Sequence, residues 1–222
     1  MSTPLAADRV RLLLLDVDGV MTDGRILIGN DGGDAAAFHT RDGAAIMWAR
    51  LAGLKTGIIT GRTSAATVAR AEALKLDVVR QGALDKLAAY RSVLEELDLT
   101  DEQVAFMGDD LLDLPVLVRV GLSAAPADAD PEVRSRVHWV SARRGGEGAV
   151  RELIELVLKA QGHWDRLVAH YAGPDTHPST SSGPPRAASQ CDGGAPSTVA
   201  ATPTLEGNAP SLPRGGTQHT AS

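Results

Sequence analysis

The fold of this chain is decided by the stretch RLLLLDVDGV at residues 11–20. Its four consecutive leucines are typical of a strand buried on both faces of a parallel sheet. Asp16 and Asp18 follow directly where this strand ends. Two carboxylates at such a point are suited to hold a divalent cation against a phosphate, or to supply a nucleophile and a general acid. The stretch therefore predicts a central strand with phosphoryl chemistry at its end.

Outward from this stretch, strand-like and helix-like segments alternate. The other predicted strands lie at residues 55–60, 76–79, 104–108, 120–124 and 137–140. The predicted helices lie at residues 44–52, 64–74, 84–97, 112–118, 149–160 and 163–171. Such alternation is typical of an α/β fold with a doubly wound, Rossmann-like parallel sheet and helices on both faces.

One segment, at about residues 22–40, departs from this alternation. Apolar residues flank the turn-forming stretch GNDGG at residues 29–33. This pattern predicts an antiparallel β-hairpin with strands at 24–28 and 35–39. Because the hairpin follows the first strand, we expect it to be inserted there and to cover the end of that strand as a flap.

The composition changes near Gly173. Residues 173–222 consist mostly of Pro, Gly, Ser, Thr and Ala, and such a segment buries too little apolar surface to offset its ordering entropy. We therefore expect one domain at residues 1–172 and a disordered tail at 173–222. The tail contains Cys191, and because this is the single cysteine of the chain, an intrachain disulfide is excluded.

The overall charge narrows the range of partners. The net charge of −6 and the pI of about 5.5 disfavour a nucleic-acid binder, which needs a basic surface.

The N-terminal residues lack the features of a signal peptide, and the leucine run is far shorter than the ~20 residues of a membrane span. We therefore expect a cytoplasmic protein with neither nucleic acid nor membrane as a partner.

Polar residues also follow other predicted strands. Thr60 and Arg62 follow the second strand, Asp109 follows the fourth, and Lys86 lies at the start of the helix between them. The carboxyl ends of parallel strands form the usual ligand site of such a sheet. Asp113, four residues after Asp109, would orient Lys86 or a metal-bound water.

These residue types suit the hydrolysis of a phosphate monoester. Asp16 and Asp109 would hold Mg²⁺ through hard oxygen ligands. Asp16 would attack phosphorus to form an aspartyl-phosphate, and Asp18 would protonate the departing oxygen and then deprotonate the attacking water. Thr60 and Lys86 would bind the phosphoryl oxygens and stabilise their charge.

The sequence from about residue 11 to residue 171 resembles the haloacid dehalogenase-like superfamily. Within it, the resemblance is closer to the cap-less branch that contains 3-deoxy-D-manno-octulosonate 8-phosphate (KDO 8-phosphate) phosphatases. The motifs that carry it are LDVDGVMTDG at 15–24, FHTRDG at 38–43, ITGR at 59–62, DKL at 85–87, GDD at 108–110 and GGEGAVRE at 145–152.

The resemblance implies roles for particular residues. It places Mg²⁺ on the Asp16 carboxylate, the Asp18 backbone carbonyl and the Asp109 carboxylate, with Asp110 and Asp113 supporting this site. The implied substrate-binding residues are Asp18, His39, Thr40, Arg41, Asp42, Gly43, Gly61, Arg62, Arg70 and Lys86. The two arginines suit an acidic sugar because their planar forks bind carboxylates.

The resemblance also implies a homotetramer in which the hairpin flaps pack together and a neighbouring subunit covers each site. It implies that the glycine-rich segment 144–148 closes over an adjacent site, and that the enzyme serves lipopolysaccharide biosynthesis. These statements concern assembly and pathway, and they rest on the resemblance alone.

The identity of the sugar acid stays open between two alternatives. FHT at 38–40 and the Met47-Trp48 pair also resemble phosphatases acting on nine-carbon acids such as KDN 9-phosphate or an acylneuraminate 9-phosphate. Arg62 favours the eight-carbon acid, because the nine-carbon enzymes tend to have an acidic residue there.

Two other classes of protein are less consistent with the sequence. A phospho-receiver module also places Asp, Thr and Lys around Mg²⁺, but it does not need the acid at Asp18 or the arginines at 62 and 70. A non-catalytic oligomerisation module does not need intact Asp16 and Lys86.

Overall fold

The structure is a computed structural model and describes residues 6–30 and 33–173. The tail expected at 173–222, apart from Gly173, lies outside the described residues, and so does Cys191. None of the described helices is long and apolar enough to cross a membrane.

The centre of the fold is a six-stranded parallel sheet, as the sequence predicts. Its strands, in chain order, are β1 (Leu12–Leu15), β4 (Lys55–Ile59), β5 (Val78–Arg80), β6 (Val104–Met107), β7 (Leu122–Ala125) and β8 (Trp139–Val140). In space they follow the order β5-β4-β1-β6-β7-β8, and every adjacent pair is parallel. β4 and β5 therefore lie on one side of β1, and β6, β7 and β8, which follow later in the chain, lie on the other side.

Helices cover both faces of this sheet. They are α1 (Thr40–Leu51), α2 (Ala65–Leu74), α3 (Lys86–Leu97), α4 (Leu114–Leu117), α5 (Pro131–Arg134), α6 (Ala149–Ala160) and α7 (Trp164–Ala172). Helix α5 was not predicted from the sequence. The local signal for it was present, because Asp130 accepts a hydrogen bond from the Glu132 amide and Pro131 begins the helix.

Two hydrophobic cores lie on opposite faces of the sheet, and β1 contributes to both. Leu13 and Leu15 belong to the core that contains α1 and α6 residues. Leu12 and Leu14 belong to the core that contains Tyr90 of α3. Each fully buried leucine stabilises the fold by about 1.5–3 kcal/mol. This two-sided burial explains why β1 is an uninterrupted run of leucines.

The inserted hairpin is present, but its strands are shorter than predicted. Only β2 (Leu27–Ile28) and β3 (Asp34–Ala35) pair, in antiparallel fashion. Gly24 has a φ of 78°, which interrupts extended backbone before β2. After β3 the chain turns toward the core, where Phe38 packs, and α1 begins at Thr40. The predicted strands at 24–28 and 35–39 are therefore wrong in length.

Candidate active site

Three neighbouring strand ends bring the predicted site residues together. β1 lies between β4 and β6, so Asp16, Thr60 and Asp109 follow adjacent strands. The ladder continues into the site, because the Asp16 amide donates to Met107 O and the Thr60 amide donates to Arg80 O, both at 2.9 Å. The strand order reverses at β1, and this is where ligands bind in sheets of this kind.

A buried lysine links two carboxylates at the centre of the site. Lys86, the first residue of α3, has its Nζ 2.8 Å from Asp16 Oδ1 and 2.6 Å from Asp113 Oδ1. The other oxygen of Asp113 accepts hydrogen bonds from the Asp109 and Asp110 amides at 3.0 and 3.2 Å. Asp113 is fully buried. It therefore ties α3 to the loop after β6 and orients Lys86, which was one of its two predicted roles.

The site holds more negative than positive charge. Burial, followed by the like charge of Asp113, raises the pKa of Asp16 to about 6. Burial, followed by the charges of Asp16 and Asp113, raises the pKa of Asp109 to about 8. Burial alone would lower the pKa of Lys86, but its two carboxylate neighbours shift it upward. One lysine, paired with two of them, thus lies among three crowded carboxylates, an arrangement that favours binding of a further cation.

The donor set fits a hard divalent cation such as Mg²⁺. Carboxylate oxygens of Asp16, Asp109 and Asp113 lie within 4.8 Å of one another. Asp109 Oδ1 is buried and has no hydrogen-bond partner among the described residues. Both oxygens of Asp113 are engaged, so Asp16 and Asp109 are the carboxylates with ligand capacity to spare. Ligation by the Asp18 backbone carbonyl stays a prediction.

A glycine leaves room for the Asp109 carboxylate. A Cβ built on Gly19 would lie 2.1 Å from Asp109 Oδ2, and Gly19 has a φ of 93°, which side-chain-bearing residues rarely adopt. The loop that carries Asp18 can therefore approach Asp109 closely only with glycine at this position.

Arg62 joins the Asp18 loop to the hairpin. Its Nη1 lies 2.9 Å from Asp18 Oδ1, and its Nη2 lies 2.9 Å from Asp34 Oδ2. The neighbouring Gly61 is half-buried, and Thr60 Oγ1 accepts a hydrogen bond from the Arg62 amide at 3.4 Å. Asp34 is not among the site residues predicted from the sequence. No local signal marks it, because the ion pair spans 28 residues.

The structure brings several of the predicted substrate-binding residues together at the start of α1. The Arg70 guanidinium donates to His39 O at 3.4 Å and lies 5.5 Å from the centre of the Phe38 ring. A Cβ on Gly43 would lie 2.3 Å from Arg70 Nη2, so this glycine provides the space for the arginine. The Arg70 Nε is buried without a hydrogen-bond partner among the described residues. The Arg70 Nε is therefore available to donate a hydrogen bond to a ligand at this position.

Asp42 lies between His39 and α6, with its Oδ2 3.8 Å from His39 Nδ1. Its Oδ1 accepts a hydrogen bond from the Arg151 amide near the start of α6 at 2.8 Å, and its side chain is almost fully buried. Burial, although opposed by this hydrogen bond, raises the pKa of Asp42. Thr40 and Arg41 are exposed. The structure therefore engages Asp42 within the fold, and substrate contact by residues 40–42 stays a prediction.

Trp48, which the sequence analysis weighed as a mark of substrate choice, packs against other elements. Its ring centre lies 5.9 Å from that of Trp164 in α7, and the Arg151 guanidinium lies 4.5 Å from it. These contacts give Trp48 a role in joining α1 to α6 and α7.

The glycine-rich segment 144–148 packs on the loop that carries Asp18. The Gly146 amide donates to Val20 O at 2.9 Å, and a Cβ on Gly145 would lie only 1.7 Å from Gly19 O. Asp128 holds the segment by accepting a hydrogen bond from the Gly145 amide at 2.9 Å. The resemblance assigned this segment to an adjacent site, and its contact with the chain's own Asp18 loop was not predicted.

The parallel sheet with this acidic cluster at its switch point defines the class of the protein. Residues 59–153 match the model of the haloacid dehalogenase-like hydrolases. The chain is also 45% identical over 159 residues to the 3-deoxy-D-manno-octulosonate 8-phosphate phosphatase KdsC of Escherichia coli K12, covering 72% of this chain and 85% of the relative. It is 46% identical over 155 residues to KdsC of Yersinia pestis, covering 70% and 83%. The chain belongs to the KDO 8-phosphate phosphatase family.

Solved structures agree with this assignment. A probable YrbI family phosphatase from Pseudomonas syringae superposes with a TM-score of 0.75 at 43% identity, covering 76% of this chain and 96% of the other. A KDO 8-phosphate phosphatase from Moraxella catarrhalis, in complex with a magnesium ion, a phosphate ion and KDO, superposes with a TM-score of 0.74 at 34% identity, covering 75% and 95%. The predicted doubly wound fold is therefore confirmed.

Proposed function

We propose that this chain is a Mg²⁺-dependent phosphatase that hydrolyses KDO 8-phosphate to KDO and inorganic phosphate. The observation that carries the proposal is the buried cluster of Asp16, Lys86, Asp109 and Asp113 at the switch point of the sheet. The identity to KDO 8-phosphate phosphatases adds the substrate to the reaction class.

Asp16 is the proposed nucleophile. In the first step a bond forms between its carboxylate oxygen and phosphorus, and the bond from phosphorus to the sugar oxygen breaks. Asp18 gives its proton to the departing sugar oxygen. In the second step water attacks the aspartyl-phosphate, Asp18 takes a proton from this water, and Asp16 is released with inorganic phosphate. Asp18 thereby returns to its starting state after each turnover.

Charge on the phosphoryl group would be stabilised by two residues and the cation. Lys86 already faces Asp16 and would contact a phosphoryl oxygen, and the buried Thr60 would donate its hydroxyl to another. Mg²⁺, when bound by Asp16 and Asp109, supplies positive charge that offsets the phosphoryl oxygens. Asp113 keeps Lys86 in place, and Asp110 caps the turn that carries Asp113.

The acidic end of the sugar would be recognised by Arg62 and Arg70. Arginine binds a carboxylate through its planar fork, and Arg62 lies beside the proposed general acid Asp18. Arg70 is held at the start of α1 next to His39 and Gly43. Backbone and side-chain groups of residues 39–43 and Gly61 would complete this part of the site.

We further propose a cytoplasmic homotetramer in which hairpins of neighbouring subunits pack together. The support is an apolar hairpin surface: Ile26, Leu27 and Ile28 are 47%, 60% and 74% exposed. Three adjacent exposed aliphatic residues are typical of a contact surface. The net charge of −6 supports the exclusion of nucleic acid as a partner. We also propose that residues 173–222 form a tail outside the phosphatase domain at 1–172. The enzyme would serve lipopolysaccharide biosynthesis.

The substrate is tested by measuring phosphate release from KDO 8-phosphate, KDN 9-phosphate and a neutral hexose 6-phosphate side by side. We expect the highest kcat/KM on KDO 8-phosphate and the lowest on the neutral sugar, because the latter offers Arg62 and Arg70 no carboxylate. Equal rates on all three would refute recognition of an acidic sugar, and a preference for KDN 9-phosphate would assign the nine-carbon acid.

Removal of the metal should silence the enzyme. We expect that treatment with a chelator abolishes phosphate release and that added Mg²⁺ restores it, because Lys86 alone does not balance three carboxylates and a phosphate. Far-UV circular dichroism of the chelated protein should stay unchanged, which separates loss of the cation from loss of the fold. Full activity after exhaustive chelation would contradict the metal's role.

A further inference from the structure

Arg62 is the point at which the hairpin meets the loop of the proposed general acid. Its two terminal nitrogens contact two different carboxylates, Asp18 on one side and Asp34 on the other, each at 2.9 Å. A planar guanidinium held at both ends of its fork has a fixed orientation. Asp18 and Asp34 therefore hold the Arg62 guanidinium from two sides.

The setting strengthens this link. The side chains of Arg62, Asp18 and Asp34 are 37%, 29% and 24% exposed, so all three are partly shielded from water. Ion pairs between fully exposed side chains contribute little to stability because solvent screens them. The two ion pairs of Arg62 are less exposed, and each has a nitrogen–oxygen distance of 2.9 Å. Their geometry is consistent with two charge-assisted hydrogen bonds.

The hairpin's own β-ladder is short. Its ladder consists of two residue pairs, Leu27 with Ala35 and Ile28 with Asp34. Ile28, the register partner of Asp34, is largely exposed. Since a ladder this short is weak in isolation, the ion pair to Arg62 connects β3 to the loops at the sheet's edge.

We propose that Asp34 is a positioning residue, which fixes the guanidinium of Arg62 and so joins the hairpin to the loop that carries Asp18. This proposal rests on the function proposed above, in which Arg62 receives the substrate's carboxylate and Asp18 moves the proton. With Asp34 in place, an acidic sugar meets an arginine that is already oriented, and its carboxylate would be bound by the N–H groups that Asp18 and Asp34 leave free. This reduces the ordering required on binding. Asp34 thereby contributes to selectivity for acidic sugars without touching the reacting atoms.

The test compares Asp34→Asn with the wild type on two substrates. KDO 8-phosphate needs both the arginine and the proton from Asp18. The probe p-nitrophenyl phosphate has no carboxylate, and its leaving group departs readily without protonation. We expect kcat/KM to fall about tenfold on KDO 8-phosphate, and to fall much less on p-nitrophenyl phosphate. Asp23→Asn is the matched control, because Asp23 also pairs with an arginine of the same segment but is more exposed.

Two further variants identify the route of the effect. In an Arg62→Ala background, Asp34→Asn should cause no additional loss, because its partner is gone. Asp34→Glu keeps the charge and should restore part of the selectivity. The proposal is overturned if Asp34→Asn lowers kcat/KM equally with and without Arg62, or if its loss only matches that of Asp23→Asn. A lower KM of Asp34→Asn for KDO 8-phosphate would also overturn it. If the wild type releases phosphate from p-nitrophenyl phosphate but not from KDO 8-phosphate, the proposed substrate fails first.

Discussion

The Asp16→Asn variant should lose phosphate release from KDO 8-phosphate by roughly 10⁴-fold or more in kcat, because an amide does not form the aspartyl-phosphate. The substitution keeps the size of the side chain, which is buried beside Lys86. Initial rates of phosphate release at saturating substrate and Mg²⁺ measure the effect. A variant with turnover near that of the wild type would end the assignment of Asp16 as the nucleophile.

The same variant should retain its fold. Burial and the charge of Asp113 raise the pKa of Asp16 to about 6, which is above its value of 3.8 in an unfolded chain. In metal-free protein above both pKa values, the ionised carboxylate therefore destabilises the folded state, and this cost is absent from asparagine. The metal-free variant should unfold at the same or a higher temperature than the wild type. Asp23→Asn, at an exposed position nearby, should keep its turnover.

The Lys86→Met variant should lose about 10³-fold in kcat, because the phosphoryl oxygens lose a buried positive charge that is positioned before the reaction. Lys86 also compensates Asp16 and Asp113, at 2.8 and 2.6 Å. Removing one partner of a buried ion pair leaves charge uncompensated and typically destabilises a protein by about 3–5 kcal/mol. We therefore expect a lower unfolding temperature at neutral pH, in contrast to Asp16→Asn.

Two comparisons make this second prediction specific. Lys159→Met removes an exposed lysine that pairs with Glu155, and it should leave kcat unchanged. Lys86→Arg keeps the charge but places a larger planar group in a buried position, so it should recover stability more than turnover. Unchanged kcat in Lys86→Met would show that Lys86 does not contact the phosphoryl group.

Local patterns in the sequence were sufficient to predict the sheet and the polar residues that follow its strands. The leucine run at 12–15 predicts a strand buried on both faces, and the structure places successive leucines in opposite cores. Asp16, Thr60 and Asp109 could be grouped because the carboxyl ends of parallel strands meet at one edge. The hairpin's location was also readable, although the lengths of its strands were not, because pairing depends on where the chain must turn toward α1.

Contacts between segments distant in the sequence could not be predicted from local patterns. Arg62 and Asp34 are 28 residues apart, and the Asp42 carboxylate accepts a hydrogen bond from the amide of a residue 109 positions later. Which partner a charged side chain takes depends on the relative placement of whole elements. The close approach of Gly145 to Gly19 is of the same kind, because nothing near either glycine indicates the other.

The sequence by itself therefore determined the parallel sheet and which polar residues follow its strands, since both follow from local periodicity and from the direction of parallel strands. Of the two partners predicted for Asp113, the tertiary structure selected Lys86, which bridges it to Asp16. Only the tertiary structure decided that the glycines at 145 and 146 pack on the Asp18 loop and that Arg62 lies between Asp18 and Asp34. The physical reason is that packing of distant segments fixes these distances, and hydrogen bonds and ion pairs act only over a few ångströms.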